Sequence, residues 1–307
     1  MIKQKNFFQS TNGSNKICYY RYTPETEIRG VFQLVHGMAE HGERYEGFAE
    51  YLCERGFAVY IHEHVGHGGS AANKQGLGLF MDAKQAAVMV EDARKMSEIA
   101  KSENEGKKLI LFGHSMGSFV VRLYAAKYSN EIDGLVICGS GAKNKLAPIA
   151  RVLIKTMKLF KGKDYKSKLI DKLSFGKFND RYDNAKTAFD WLSRDERVVN
   201  EYIASDYCGF LFSLDGMLML LDVNVNSNRP ETFKAVRPSL PILIVSGDMD
   251  PVGEYGEGVR QVYKSYLDAG IQNCAMKLYP GARHEILNET NKQEVYADIF
   301  EFADKLL

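Results

Sequence analysis

The chain has 307 residues, 45% of them hydrophobic, and a formal net charge of +1 at pH 7. That length builds one large domain, or one domain with an insertion, around a sizeable core, and the balanced charge gives no electrostatic reason to expect a nucleic-acid partner. Five scattered cysteines (Cys18, Cys53, Cys138, Cys208 and Cys274), odd in number and without a C-x-x-C pair, read as reduced thiols of a cytoplasmic protein, not as a disulfide frame or zinc site.

Met-Ile-Lys-Gln-Lys-Asn at the start leads into no long apolar region, so no signal peptide is expected, and no window approaches about 18 uncharged apolar residues, so no membrane span is expected. Lys16 to Tyr22 and Gly30 to Val35 read as strands around a Pro24-Glu25 turn. The second runs into His36-Gly37-Met38-Ala39-Glu40-His41-Gly42. Tyr45, Phe48, Ala49 and Leu52 give one helical face that Gly56 ends. Phe57 to Ile61 is a strand feeding His62-Glu63-His64-Val65-Gly66-His67-Gly68-Gly69-Ser70. Ala86, Met89, Val90, Ala93, Met96 and Ala100 mark a long amphipathic helix. Leu109 to Phe112 is a short apolar run, expected of a strand buried on both faces, and Gly134 to Cys138 is another.

From about Lys143 to Lys234 the strand–helix alternation stops; the pattern there is helical, aromatic and locally basic. A buried strand returns at Pro241 to Asp248, then a helix with Val259, Val262, Tyr263 and Tyr266 on one face, a strand over Ala275 to Tyr279, and a closing helix with Val295, Ile299, Phe302 and Leu306. Alternating strands and helices predict a mostly parallel sheet wrapped by helices, an α/β fold. The interruption predicts an inserted helical cap over 143–234 on a core formed by 1–142 and 235–307. In such sheets ligands bind beyond the carboxyl ends of the strands, where the loops 36–42, 62–70, 113–117, 139–141, 247–251 and 280–284 all fall.

Gly113-His114-Ser115-Met116-Gly117 fits G-x-S-x-G between a strand and a helix, the context in which a sharp turn exposes a nucleophilic serine. Ser115 needs a base. Beyond the turn itself, His284 is the one histidine downstream, in a loop after the last strand, and the chain order serine, acid, histidine suits this fold. Asp248 and Asp250 both follow the strand ending near Val245; Asp250, further into the loop and before Pro251, is the expected acid, and Asp248 the expected turn cap. The oxyanion donors are expected to be the backbone N–H groups of Met116 and Met38. His36 is expected to brace loops.

Taken together, His36-Gly37-Met38-Ala39-Glu40-His41, the His62–Ser70 stretch, the Ser115 turn, Asp250 and His284 resemble the monoacylglycerol lipase and lysophospholipase group of α/β-hydrolases. The resemblance covers nearly the whole core and is weakest across 143–234. It implies an eight-stranded sheet, a helical cap, no metal and no cofactor, and hydrolysis of a carboxylic ester with one long acyl chain. Glu63 departs from it, standing where the group usually carries aspartate.

Other readings stay open at this stage. His62, His64 and His67 approach a metallohydrolase spacing, but Gly66 replaces the aspartate that spacing needs. A ligand-binding protein on the same scaffold is a second alternative. A peptidase acting on free amino termini is a third, with Asp206 and Asp215 available to meet the amine. In the insertion, Trp191, Tyr207, Phe210, Phe212 and Met217 are the candidates for an apolar substrate pocket. Residues 143–172 hold nine lysines and Arg151 against Asp164 and Asp171, a local net of +8, with Leu146, Ile149, Leu153, Met157 and Phe160 at helical spacing. This segment either lies as a basic amphipathic helix on an anionic membrane or packs its apolar face on the core.

Overall fold

The computed structural model describes residues 1–80 and 85–307. Eight strands form one sheet in the order β1-β2-β4-β3-β5-β6-β7-β8: β1 (Ile2–Gln9), β2 (Lys16–Thr23), β3 (Gly30–Val35), β4 (Phe57–His62), β5 (Leu109–His114), β6 (Gly134–Cys138), β7 (Ile242–Gly247) and β8 (Cys274–Tyr279). β2 pairs antiparallel with β1 and β4, and every other pairing is parallel. The sequence reading lacks β1. Its residues carry no buried alternation, since Phe8 alone is buried in an edge strand.

The central strands alternate their side chains between two apolar layers. Leu109, Leu111, Leu135, Ile137, Ile242 and Ile244 face α2 (Gln85–Ser102), α3 (Met116–Tyr128) and α9 (Glu257–Asp268). Ile110, Phe112, Val136, Cys138, Leu243 and Val245 face α1 (Glu46–Cys53) and α10 (Lys292–Asp304). Each such aliphatic or aromatic side chain contributes about 1.5–3 kcal/mol on burial, so packing on both faces fixes the strand register. That register places the ends of β3 and β5 side by side, with Val35 opposite Gly113.

Between β6 and β7 the chain forms α4 (Ala147–Lys161), α5 (Lys168–Phe175), α6 (Glu196–Ala204), α7 (Leu214–Ser227) and α8 (Pro230–Lys234). α7 buries Leu214, Met217, Met219 and Val223 in the same apolar layer as α3. Arg122 of α3 is fully buried. Its guanidinium meets no carboxylate among the described residues and donates to Ser227 O and Asn228 Oδ1, both at 2.8 Å, and to Gly141 O at 3.3 Å. Asn224 of α7 donates to Ala142 O at 3.0 Å and accepts from Asn144 N–H at 2.9 Å.

The structure corrects one of the two readings of α4. Only Ala147 and Ile154 are buried on it, while Ile149, Leu159 and Phe160 are 70, 83 and 81% exposed. The apolar face therefore does not pack on the core as a whole. No helix among the described residues is long and apolar enough to cross a membrane.

Candidate active site

β5 ends at His114 and α3 begins at Met116, so Ser115 alone makes the turn, with φ 54° and ψ −120°. A non-glycine residue held there costs about 1–3 kcal/mol, which the crossing of strand and helix imposes. A Cβ on Gly113 would stand 2.5 Å from Gly117 O, and one on Gly117 would stand 2.1 Å from Val35 O, so neither position admits a side chain. Ser115 N–H donates to Cys138 O at 3.0 Å, tying the turn to β6.

The loop after β3 lies directly against the serine: a Cβ on Gly37 would come within 3.0 Å of Ser115 Cβ. Gly37 N–H donates to Glu40 Oε1 at 2.6 Å. Met38 and Met116 both pack into the apolar layer that also holds Phe119, Phe212 and Met217. Met116 occupies the first position of α3, where a backbone N–H has no helical acceptor.

His284 and Asp250 are 3 and 0% exposed, and His284 Nδ1 lies 2.9 Å from Asp250 Oδ2. The same oxygen accepts from Ser246 Oγ–H at 3.2 Å, and Asp250 Oδ1 accepts from Val252 N–H at 2.8 Å. Asp248 instead accepts from Gly281 N–H at 2.7 Å, as expected of a turn cap. The His284 ring stands against the serine turn, 4.7 Å centroid to centroid from His114. With Nδ1 committed to Asp250, Nε2 is the ring nitrogen left for another partner.

Of the five insertion residues, Trp191, Phe210 and Phe212 contact histidines of this region. Trp191 lies over the His284 ring, 5.1 Å away at 40°, and its carbonyl accepts from His284 N–H. Phe210 and Phe212 meet His67 at 5.2 and 5.4 Å, and Met217 packs in the same layer. Tyr207 is the correction: it is 41% exposed and meets the edge of His41, outside that apolar layer. The sequence reading also missed a buried network, in which Arg44 forks onto Glu285 at 2.5 and 2.6 Å and reaches Glu40 Oε2 at 2.9 Å. The spacing of Glu40 and Arg44 was a signal for it, because they stand four residues apart beside the first helical turn.

His36, His64 and His67 brace backbone, while the buried His62 ring has no hydrogen-bond partner among the described residues. His64 N–H donates to His36 Nε2 at 3.1 Å, His36 Nδ1 meets Gly37 O at 2.8 Å, and His67 Nε2 accepts from Ala39 N–H at 3.3 Å. Burial pushes His36 down to about 4 and His62 and His67 to about 3. Among the described residues no three His, Cys, Asp or Glu side chains converge as a metal-ligand set.

Glu63 shows what its extra methylene does. Its Oε1 accepts from Gly42 N–H at 3.0 Å, at one end of the 36–42 loop, and its Oε2 faces His36 Nε2 at 3.5 Å, at the other. That nitrogen already accepts from His64 N–H, so Glu63 Oε2 is buried without a hydrogen-bond partner among the described residues, a setting that disfavours the charged carboxylate. Burial pushes Glu63 up to about 8, against the pull of the Gly42 N–H. The folded protein thus keeps a proton that the unfolded chain releases near 4.5. Stability from this group is complete below that value and declines as pH rises through about 8. Glu63→Gln, whose amide donates and accepts without titrating, should lose less. Its melting temperature, measured by calorimetry between pH 5 and pH 9, should gain roughly 5 °C on the native chain at the alkaline end.

A strained serine between a parallel strand and its helix, with the aspartate loop after β7 and the histidine loop after β8 meeting beside it, defines the α/β-hydrolase class. The profile of the family described as "Serine aminopeptidase, S33" matches residues 26–291. The monoacylglycerol lipase of Mycolicibacterium smegmatis is 30% identical over 290 residues, covering 94% of this chain and 92% of that one. A highly thermostable carboxyl esterase from Bacillus coagulans, solved in complex with glycerol, superimposes with a TM-score of 0.92 at 31% identity, over 100% of this chain and 99% of that one. A soluble variant of the Saccharomyces cerevisiae monoglyceride lipase, in complex with a substrate analog, shares the fold with a TM-score of 0.76 at 19% identity, over 99 and 94% of the two chains. The chain belongs to the monoacylglycerol lipase group of α/β-hydrolases, a group of carboxylic ester hydrolases.

Proposed function

We propose that this ester hydrolase cleaves single-chain lipid esters through Ser115, His284 and Asp250 by way of an acyl-enzyme. The contact that carries the reading is His284 Nδ1 on the buried Asp250 carboxylate, beside the serine turn. Ser115 Oγ attacks the ester carbonyl while its proton passes to His284 Nε2. The resulting oxyanion is met by the N–H groups of Met38 and Met116. Collapse breaks the bond to the alcohol, which leaves with the proton from His284. Water then attacks the acyl-enzyme, again giving a proton to His284, and the acid is released with Ser115 restored.

The helices of 143–234 act in this reading as a cap. Phe210, Phe212, Met217, Met38 and Met116 belong to one apolar cluster, which this reading takes as the side of the site suited to an acyl chain. Activity should therefore rise with chain length, each buried methylene adding up to about 0.8 kcal/mol to transition-state binding. An ester panel from acetyl to dodecanoyl tests this, with Ser115→Ala as control; a flat kcat/KM across the panel would defeat an acyl pocket. The peptidase reading is less well supported. Asp206 is paired with Lys74, and Asp215, buried, is paired with Lys158, so neither offers a free carboxylate to a substrate amine.

We further propose that α4 rests on anionic membrane. Its exposed Ile149, Leu159 and Phe160 stand in a segment of net +8, the pairing of apolar and basic surface that binds such interfaces. Lys158 is engaged by Asp215, so Lys145, Lys155 and Lys168 are the better charges to remove. Native protein should sediment with anionic vesicles at low salt and not with zwitterionic ones. Both the triple change to Gln and Leu159→Ser with Phe160→Ser should weaken this several-fold; equal pelleting of all three would sink the idea.

A further inference from the structure

One buried cluster beside His284 is not used by the chemistry above. His114 precedes Ser115 and is 4% exposed. Each of its ring nitrogens faces an acceptor: Nδ1 lies 3.4 Å from Glu40 Oε1, and Nε2 lies 3.3 Å from the carbonyl oxygen of His284. A neutral imidazole has one N–H and one lone pair, so it satisfies one of these oxygens and sets a lone pair against the other. Only the imidazolium donates to both.

The surrounding charges lead to the same state. Glu40, Arg44 and Glu285 are linked by the hydrogen bonds described above, two carboxylates to one guanidinium. The cluster is neutral in sum only when His114 carries a positive charge, and an uncompensated buried charge is costly. The other groups around it supply none. Tyr45 O–H donates to Glu40 Oε1 at 2.9 Å, burial keeps His36 low, and the Cys138 thiol on the neighbouring strand is pushed well up by burial. Burial alone would lower His114 too, but the Glu40 carboxylate outweighs it and holds the ring above the ordinary histidine value.

We propose that His114 is a buried imidazolium, a positioning residue that ties the 36–42 loop, through Glu40, to the loop bearing His284 and keeps positive charge beside the base. Glu40 Oε1 also takes the Gly37 N–H. One carboxylate thus fixes both the ring and the turn that presents Met38. The tie holds the backbone carbonyl of His284 itself, so it acts on where that ring stands.

The kinetic half of this inference rests on the ester-hydrolase reading; the protonation half does not. Selective 15N-histidine labelling of the native chain reads the ring directly, with His114 assigned by loss of its signals in His114→Gln. Two protonated ring nitrogens are expected at pH 7, and one protonated and one bare nitrogen would overturn the proposal. In Glu40→Gln the ring should become neutral at pH 7; a ring still doubly protonated there would overturn it as well. In turnover, His114→Gln should lose about tenfold or more in kcat with little change in KM. The acid limb of its kcat/KM profile should move up by about one pH unit, since the remaining cluster is net negative. An unmoved limb in the folded variant contradicts the proposal. A native chain without ester turnover would instead defeat the ester-hydrolase reading, and the labelling experiment would still decide the state of His114.

Discussion

Ser115→Ala is expected to leave a folded protein whose kcat on its best ester falls about 10^5- to 10^6-fold, and His284→Ala should fall by a similar factor. The two losses should not add, because each change removes the same concerted proton transfer and attack. A fluorophosphonate should label the native chain once, at Ser115, and should not label Ser115→Ala. Removing the hydroxyl creates no cavity of consequence, since Ser115 is only half-buried, so a normal thermal transition is expected alongside the lost turnover. Labelling that survives in Ser115→Ala would place the nucleophile elsewhere.

The second large effect separates two aspartates two residues apart. Asp250→Asn should lower kcat by about 10^4-fold, because an amide in place of Oδ2 favours the wrong histidine tautomer while keeping its shape. Asp248→Asn retains an oxygen for the Gly281 N–H, and a hydrogen bond of that kind is worth about 1 kcal/mol, so its kcat should stay within about tenfold of native. Rates of purified variants over a pH series decide the matter. A crippled Asp248→Asn beside a mild Asp250→Asn would move the acid to the other loop position and leave Ser115 and His284 untouched.

Much of this arrangement could be read from residues alone. The apolar run before Gly113, the glycines flanking Ser115 and the position of His284 after the last parallel strand are each dictated by local sterics or strand order, and local rules are legible in one dimension. β1 escaped because an edge strand buries almost nothing and so writes no alternation into Ile2–Gln9. The Glu40–Arg44–Glu285 network escaped because Arg44 and Glu285 are 241 residues apart, and only the closed sheet brings them together. Helical spacing in α4 correctly gave an apolar face but not its surroundings: periodicity says which side chains share a side, not whether protein covers that side. Tyr207 was misplaced for the same reason, aromatic content being no guide to direction.

The contacts of α7 bear on how this scaffold could be recombined. Both crossings between sheet and insertion are fastened to its last turn, one through Asn224 and the other through Arg122 on Ser227 and Asn228. α7 also shares its apolar layer with α3. It therefore belongs mechanically with the sheet, although it lies inside the interrupted stretch of sequence. Residues 145 to 213, carrying α4, α5 and α6, are tied instead to the loops around the site: Trp191 O accepts from His284 N–H, Leu192 O from Glu285 N–H, and Gly209 N–H donates to Ala39 O. A chimera cut at 143 and 234 would sever a buried guanidinium from its acceptors, and one cut at 145 and 213 would keep them but replace the Trp191 carbonyl that holds His284 N–H.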